Sequence, residues 1–255
     1  MTIGILDSGL GGYSVYHALR AAYPNASFLF LADQANAPFG DKSKEAIFNI
    51  ACDAIEWFKT QNISEILIAC NTISALVVEE LIPLYPELKI TGIIDPTVRQ
   101  ITEKHDNILV VATQGTTISE AYPKKIQSLL PGSVGLGKAL PQLVIQLEGL
   151  APKETIDAYL AESLAPYQDK VQAVILACTH YPLMRSTFED LLKVKVYDSE
   201  RPIVDLFKNR DLGQGPSAVL TTKDPAFMAK QIQILFNTEE TVALAKVPHA
   251  DRRCQ

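Results

Sequence analysis

Two cysteines occupy matching places in two similar stretches of the chain. Residues 66–72 read ILIACNT and residues 174–180 read VILACTH, so Cys70 and Cys178 each follow a short apolar run and precede two polar residues. An apolar run of this length ahead of a plausible helix is typical of a buried strand in a parallel sheet. Open α/β sheets bind their ligands at the carboxyl ends of such strands. The repeated pattern therefore predicts two cysteines that face each other in one site.

A pair of thiols suits one kind of reaction better than the others that use cysteine. A cysteine nucleophile works singly with a base within reach, and His180 could serve Cys178 in that way. A racemase that removes an α-proton without a cofactor needs two acid/base groups of similar pKa, one on each face of the carbon. The pKa of a free thiol is about 8.5, and nearby donors lower it toward neutrality. The second cysteine therefore favours proton transfer over hydrolysis or group transfer.

Several polar side chains are candidates to assist the thiols or to hold a substrate carboxylate. Asp7 could tune one thiol, and His180 or Glu148 could tune the other or relay its proton. Glu148 stands near the end of a predicted helix, and the sequence alone favours a solvated surface charge there. Donors to the carboxylate are expected from backbone N–H groups and from the side chains of Ser8, Asn71, Thr72 and Thr179.

A glycine-rich turn, residues 7–12 (DSGLGG), follows the first predicted strand. The dinucleotide-binding spacing G-x-G-x-x-G would need a glycine at position 14, which is Ser14. We therefore expect the glycines to let backbone N–H groups approach something small and negative near a helix N-terminus. A tight turn capped by Asp7 or Ser8 is the alternative, and the two roles can coexist.

Composition excludes several classes of protein. The chain has 255 residues, 47% of them hydrophobic and 20% charged, and its apolar runs are too short for a membrane helix. Its opening residues lack the features of a signal peptide, and four cysteines without CxxC spacing predict neither a disulfide framework nor a zinc site. A net charge of −6 argues against nucleic-acid binding by bulk electrostatics. We expect a cytoplasmic protein, with Cys52 as core filler and Cys254 in a frayed tail, 249–255.

Strand-like and helix-like segments alternate from end to end, which predicts an α/β fold with mostly parallel sheets in two halves. The sequence places the crossing into the second half near residue 95 and a return through the Gly/Pro loop 211–216. The predicted domains are thus 1–95 with 212–255, and 96–211.

Five segments, in order, resemble the glutamate racemases of the cofactor-independent aspartate/glutamate racemase family. They are residues 5–12 (ILDSGLGG), 33–40 (DQANAPFG), 69–72 (ACNT), 112–116 (ATQGT) and 177–182 (ACTHYP), and the resemblance extends from residue 3 to about residue 247. It implies two pseudo-symmetric α/β domains with the active site in the cleft between them. It also implies an enzyme with no cofactor or metal, whose product D-glutamate supplies peptidoglycan synthesis.

The resemblance assigns roles to individual residues. Cys70 and Cys178 would be the two proton donors and acceptors, with Asp7, Glu148 and His180 assisting them. The residues expected to bind the amino acid are Asp7, Ser8, Phe39, Gly40, Asn71, Thr72, Thr116, Thr179 and His180. No nucleic acid or membrane would be required, and a homodimer is an open alternative to a monomer.

Two departures from the family pattern leave side-chain selectivity open. Phe39 stands where the family usually has tyrosine, and Gln34 where it usually has threonine. A racemase acting on aspartate or another amino acid therefore remains an alternative. A decarboxylase of the same superfamily needs only one cysteine, so the pair counts against it. The third alternative is a regulatory homologue without turnover, such as one that restrains a topoisomerase.

Overall fold

The computed structural model describes residues 1–248, so the predictions for Cys254 and the tail lie outside the described residues. Ten strands are present in this part of the chain: β1 Thr2–Asp7, β2 Ser27–Ala32, β3 Glu65–Ile68, β4 Lys89–Gly92, β5 Asn107–Ala112, β6 Val134–Ala139, β7 Ala173–Ala177, β8 Lys195–Tyr197, β9 Ala218–Thr221 and β10 Val242–Leu244. Twelve α-helices accompany them within the same residues: α1 Tyr13–Ala22, α2 Lys44–Thr60, α3 Asn71–Leu76, α4 Val78–Leu84, α5 Ile94–Arg99, α6 Gln114–Ser119, α7 Ala121–Leu129, α8 Pro141–Glu148, α9 Lys153–Leu164, α10 Arg185–Leu192, α11 Glu200–Leu206 and α12 Pro225–Phe236. None of these helices is both long and apolar enough to cross a bilayer.

The strands form two parallel sheets. The first has the order β10-β9-β2-β1-β3-β4 and the second the order β6-β5-β7-β8. Every pairing in both sheets is parallel. The α/β class with parallel sheets, predicted from the alternation of segments, is confirmed.

The two sheets repeat one strand order. In the first sheet β2, β1, β3 and β4 lie side by side in that order, and in the second sheet β6, β5, β7 and β8 do. The two orders match when β1 is paired with β5, β2 with β6, β3 with β7 and β4 with β8. β3 and β7 are therefore equivalent strands, and Cys70 and Cys178 stand just beyond their carboxyl ends. Since parallel strands of one sheet end at the same edge, the repeat puts one thiol at that edge of each sheet.

Side chains alternate between a core shared by the two sheets and an outer core of each sheet. Ile108 and Val110 of β5 join Ile3 and Ile5 of β1 in the shared core. Leu109 instead faces the outer core of the second sheet. Because helices cover the faces of the sheets, the central strands are apolar throughout, which explains the uninterrupted apolar runs in the sequence.

The allocation of strands to sheets fits the predicted domains. The first sheet takes its strands from residues 2–92 and 218–244, and the second from residues 107–197. The exact bounds, 1–95 with 212–255 and 96–211, stay a prediction.

Two elements differ from what the sequence predicts. Strand β6 was not predicted, because its sequence VGLGKA holds two glycines and it pairs with β5 alone at the sheet edge. The sequence predicts one helix from about residue 74 to residue 84. In the structure the helical segment begins at Asn71, directly after Cys70, and is interrupted at Val77, where the backbone φ is −137°. Cys70 is therefore the residue that directly precedes the N-terminus of α3.

An ion pair ties the returning chain to the first sheet. Nη2 of Arg210, just after α11, lies 2.5 Å from Oε2 of Glu65 at the start of β3. Glu65 is 5% exposed, and its other carboxylate oxygen lies 3.2 Å from Nζ of Lys89. A carboxylate this buried needs partners to remain charged.

Replacing Arg210 with methionine should therefore destabilise the protein. We expect the free energy of unfolding to fall by about 2 kcal/mol, because Glu65 keeps its charge with one cation fewer. Urea denaturation at neutral pH measures the change. Arg201→Met removes an exposed arginine from the same segment and should cost about 0.5 kcal/mol or less; equal losses in the two variants would contradict a stabilising role for the pair.

Candidate active site

The two cysteines line one cavity of about 540 Å³, which lies at the carboxyl ends of the strands. Its walls come from both sheets and from the C-terminal helix α12. The predicted site residues on its surface are Ser8, Phe39, Gly40, Cys70, Asn71, Thr72, Glu148, Cys178, Thr179 and His180. Both sulfurs thus open into one compartment. Within residues 1–248, no group of three or more histidine, cysteine, aspartate or glutamate side chains is arranged to hold a metal ion.

Cys70 is held as a neutral thiol. It is 3% exposed, and its Sγ donates to Oγ of Ser8 at 3.6 Å. Burial, with the negative charge of Asp7 nearby, raises the pKa of Cys70 to about 12. Backbone N–H groups at the start of α3 oppose this shift but do not cancel it. The Cys70 thiol therefore keeps its proton at neutral pH.

Cys178 instead contacts an imidazole that is paired with a carboxylate. Its Sγ lies 3.8 Å from Nδ1 of His180, and Nε2 of His180 lies 2.8 Å from Oε1 of Glu148. Burial lowers the pKa of His180, but its contacts with Cys178 and Glu148 outweigh burial and hold that pKa well above 6.5. Burial raises the pKa of Glu148, but the hydrogen bond and charge of His180, with the donors of Leu10 and Gln34, together outweigh burial and lower that pKa. The solvated role that the sequence favoured for Glu148 is wrong, because its side chain is 23% exposed and bonded to His180.

Two groups compete for Nε2 of His180. The N–H of Gly11 lies 3.1 Å away and can donate only to an unprotonated nitrogen, while Glu148 needs a proton on it. The contact with Glu148 is shorter and carries charge, so we assign the proton to it. Glycine is required at position 11, since a Cβ there would lie 2.4 Å from Nδ1 of His180.

Asp7 lies behind the cavity wall. It is fully buried, its Oδ1 accepts from the N–H of Gly9 at 3.0 Å, and its Oδ2 accepts from the hydroxyl of Thr179 at 3.1 Å. The N–H of Leu10 donates to Oε1 of Glu148 at 3.1 Å. The expectation that these amides approach an external anion is corrected, because they bind the protein's own carboxylates.

Hydroxyl groups from both halves meet beside the cavity. Oγ1 of Thr72 lies 3.0 Å from Oγ1 of Thr113, which donates to Thr116 at 3.0 Å. Thr113 faces the cavity, while Thr116 is 2% exposed and does not line it. Thr113 was not singled out from the sequence, although the hydroxyl-rich turn after β5 was the signal for it.

The two residues that depart from the family pattern have different surroundings. Phe39 is 2% exposed and packs in the outer core of the first sheet while it lines the cavity. Nε2 of Gln34 donates to Oε1 of Gln231 at 3.2 Å, and its Oε1 accepts from Thr221 at 2.8 Å. Nε2 of Gln231 in turn donates to the backbone oxygen of Glu148 at 2.7 Å. Gln34 is therefore part of a buried amide chain that reaches the end of α8.

The C-terminal segment contributes wall residues that sequence reasoning missed. Lys223, Asp224, Phe227 and Gln231 all line the cavity and come from the start and middle of α12 or the turn before it. An amphipathic helix gives no local sign of which face meets a cavity built by other elements, so the sequence held no signal for them.

Two parallel sheets with a thiol at the same strand end of each define the α/β racemase class of isomerases. Within that class the chain belongs to the Asp/Glu/Hydantoin racemase family, whose model matches residues 10–206. The family resemblance seen in the sequence is confirmed.

Similar proteins span nearly the whole chain. A glutamate racemase of Aquifex aeolicus is 33% identical over 249 residues, which cover 94% of this chain and 95% of that protein. The crystal structure of a glutamate racemase isoform from Bacillus anthracis has a TM-score of 0.89 at 25% identity and covers 98% of both chains. A glutamate racemase from Francisella tularensis, solved in complex with D-glutamate, has a TM-score of 0.87 at 26% identity and covers 96% of this chain and 97% of its own.

Replacing Asp7 with asparagine should change stability in a pH-dependent way. Burial raises the pKa of Asp7 from 3.8 to about 6, so the folded protein binds this proton more tightly than the unfolded chain does. The stability contributed by protonated Asp7 is present below about pH 4 and is lost as the pH rises through about 6. We compare the free energy of unfolding of Asp7→Asn with that of the parent. The difference should favour the variant by about 1 kcal/mol more at about pH 8 than at about pH 5.

Urea denaturation at the two pH values measures this difference. Asp190→Asn, which changes an exposed carboxylate, should alter the free energy of unfolding equally at both. An effect of Asp7→Asn that does not vary with pH would contradict the raised pKa.

Proposed function

We propose that this protein interconverts L- and D-glutamate without a cofactor, with Cys70 and Cys178 as its two acid/base groups. The observation that carries the proposal is that both thiols, from equivalent strand ends, open into one cavity. The names of the similar proteins support glutamate as the substrate. The product would supply peptidoglycan synthesis in the cytoplasm, and a homodimer remains one candidate assembly.

The reaction balances with the residues present. One cysteine, as the thiolate, takes the proton from Cα, and the electron pair of the C–H bond passes into the α-carboxylate. The other cysteine, as the thiol, gives its proton to the opposite face of Cα. The two sulfurs end with exchanged protonation states, so the reverse reaction uses the same groups in exchanged roles.

The surroundings of the two sulfurs favour one starting arrangement. Cys70 is held as a thiol by burial and by the charge of Asp7, so it is the proton donor at the start. Cys178 contacts His180, which can take the Cys178 proton at Nδ1 while Glu148 balances the imidazolium charge. The first proton therefore goes from Cα to Cys178 when Cys70 is protonated.

Polar groups on the cavity wall would hold the substrate and stabilise the charge that develops on it. Hydrogen-bond donors aimed at a developing oxyanion contribute much of such a rate enhancement. Asp7 and Thr116, which do not line the cavity, would act through Thr179 and Thr113, their hydrogen-bond partners. The residues proposed for direct contact are Ser8, Phe39, Gly40, Asn71, Thr72, Thr179 and His180.

Turnover in heavy water tests the two-base reaction. Starting from L-glutamate, we expect each D-glutamate formed to carry one deuterium at Cα, because the donated proton comes from a thiol exchanged with solvent. Mass spectrometry and optical rotation measure label and inversion together. Inverted product without label would contradict the two-base mechanism. In a substrate panel, faster labelling of aspartate than of glutamate would identify aspartate as the substrate instead.

Serine substitutions test each thiol separately. We expect Cys70→Ser and Cys178→Ser each to lower kcat by about 10²- to 10⁴-fold, because a hydroxyl is a far weaker acid and base than a thiol. Circular dichroism checks that the fold is retained.

The matched control is Cys52→Ala. Cys52 lies buried in α2, in the outer core of the first sheet and away from the cavity lining. Its replacement should leave kcat within about twofold of the parent and change only stability. Near-parental kcat in either serine variant would remove that cysteine from the mechanism.

A further inference from the structure

Asn71 presents an unpaired donor at the cavity. The residue directly follows Cys70, is 3% exposed and lines the cavity wall. Its Nδ2 has no hydrogen-bond partner among the described residues. A buried N–H left unpaired costs free energy, so such a group in a native structure needs an explanation, and a bound acceptor is one. The amide nitrogen of Asn71 is thus available to an acceptor that enters the cavity.

The other end of the same amide is bound from the opposite half of the molecule. The hydroxyl of Tyr122, in α7, donates to Oδ1 of Asn71 at 2.5 Å. Tyr122 is fully buried, and it does not line the cavity. Rotation of the Asn71 amide by half a turn would exchange its oxygen for its nitrogen at the phenol and break this bond. The phenol therefore fixes which end of the amide faces the cavity.

The phenol itself is kept as a donor by its surroundings. The hydroxyls of Thr97 and Ser199 lie within hydrogen-bonding reach of the Tyr122 oxygen, and they are bonded to each other at 2.8 Å. Thr97 donates its hydrogen to Ile93 and Ser199, so only Ser199 can donate to the Tyr122 oxygen, and that contact leaves the phenol hydrogen for Asn71. Burial raises the pKa of Tyr122 above its ordinary value, so the hydroxyl keeps its proton throughout the neutral range.

We propose that Tyr122 is a positioning residue that orients the Asn71 amide so that its NH₂ group donates to a carboxylate oxygen of the substrate. This inference rests on the proposed function, because it assumes an amino-acid carboxylate in the cavity. Tyr122 does not touch the substrate and acts only through Asn71. The contact joins the two halves of the molecule, so it also ties correct substrate binding to their correct packing.

The test measures D-glutamate binding in a protein that cannot turn over. In a Cys70→Ser, Cys178→Ser background, calorimetry gives the dissociation constant for the parent, for Tyr122→Phe, for Asn71→Ala and for the two combined. We expect Tyr122→Phe to weaken binding on the order of tenfold, the value of one charge-assisted hydrogen bond. In the Asn71→Ala background the same change should have no further effect, because the residue it acts through is gone.

A purely structural role for Tyr122 would give a different result. An equal loss of affinity with and without Asn71, or no loss in Tyr122→Phe alone, would overturn the proposal. Tyr23→Phe is the matched control, because the Tyr23 hydroxyl also joins the two halves, donating to the backbone oxygen of Val204 at 2.8 Å, away from the cavity. It should leave the dissociation constant within about twofold of the parent.

The outcome is separable from that of the proposed function. Turnover and deuterium labelling by the unsubstituted protein test the two thiols, and the binding series tests Tyr122. If D-glutamate is labelled and the binding losses are additive, the proposed racemase reaction is supported and the positioning role of Tyr122 is rejected. Binding of D-glutamate without any turnover by the unsubstituted protein would reject the racemase alone.

Discussion

The rest of the site depends on the contacts that join the end of β1 and the turn after it to the end of α8 and the loop after β7. Asp7 accepts from Thr179, and the glycine-rich turn donates to Glu148 and approaches His180. These groups are buried, so each is costly unless its partner stays in place. The carboxyl ends of the two sheets are thereby held against each other, and the two thiols are held on one cavity.

The site is built on a repeated scaffold but is chemically uneven. β3 and β7 have the same place in their sheets, yet Cys70 meets a hydroxyl and a nearby buried carboxylate, while Cys178 meets an imidazole paired with a carboxylate. Two identical surroundings would favour the same protonation state for both thiols. The uneven surroundings instead hold Cys70 as a thiol and place an imidazole beside Cys178.

The return of the chain to the first sheet completes the cavity. β9 and β10 extend that sheet, and the segment between them brings α12 over the strand ends. Gln231 of α12 joins Gln34 and the backbone of Glu148 in a chain of buried amides. The position of Glu148, whose carboxylate pairs with His180, therefore depends on a helix that comes about eighty residues later in the sequence.

The sequence by itself determined the alternation of strands and helices, the two strand ends that carry cysteine, and the family, because these follow from local apolar runs and short motifs. Local patterns did not give β6, whose glycines weaken the strand signal, nor the pairing of the half-buried Glu148 with His180. Only the tertiary structure decided which groups meet, since Asp7 and Thr179 are 172 residues apart and Glu148 and His180 are 32 apart. A carboxylate looks the same in sequence whether it meets water or an imidazole, because burial and pairing arise from packing between distant segments.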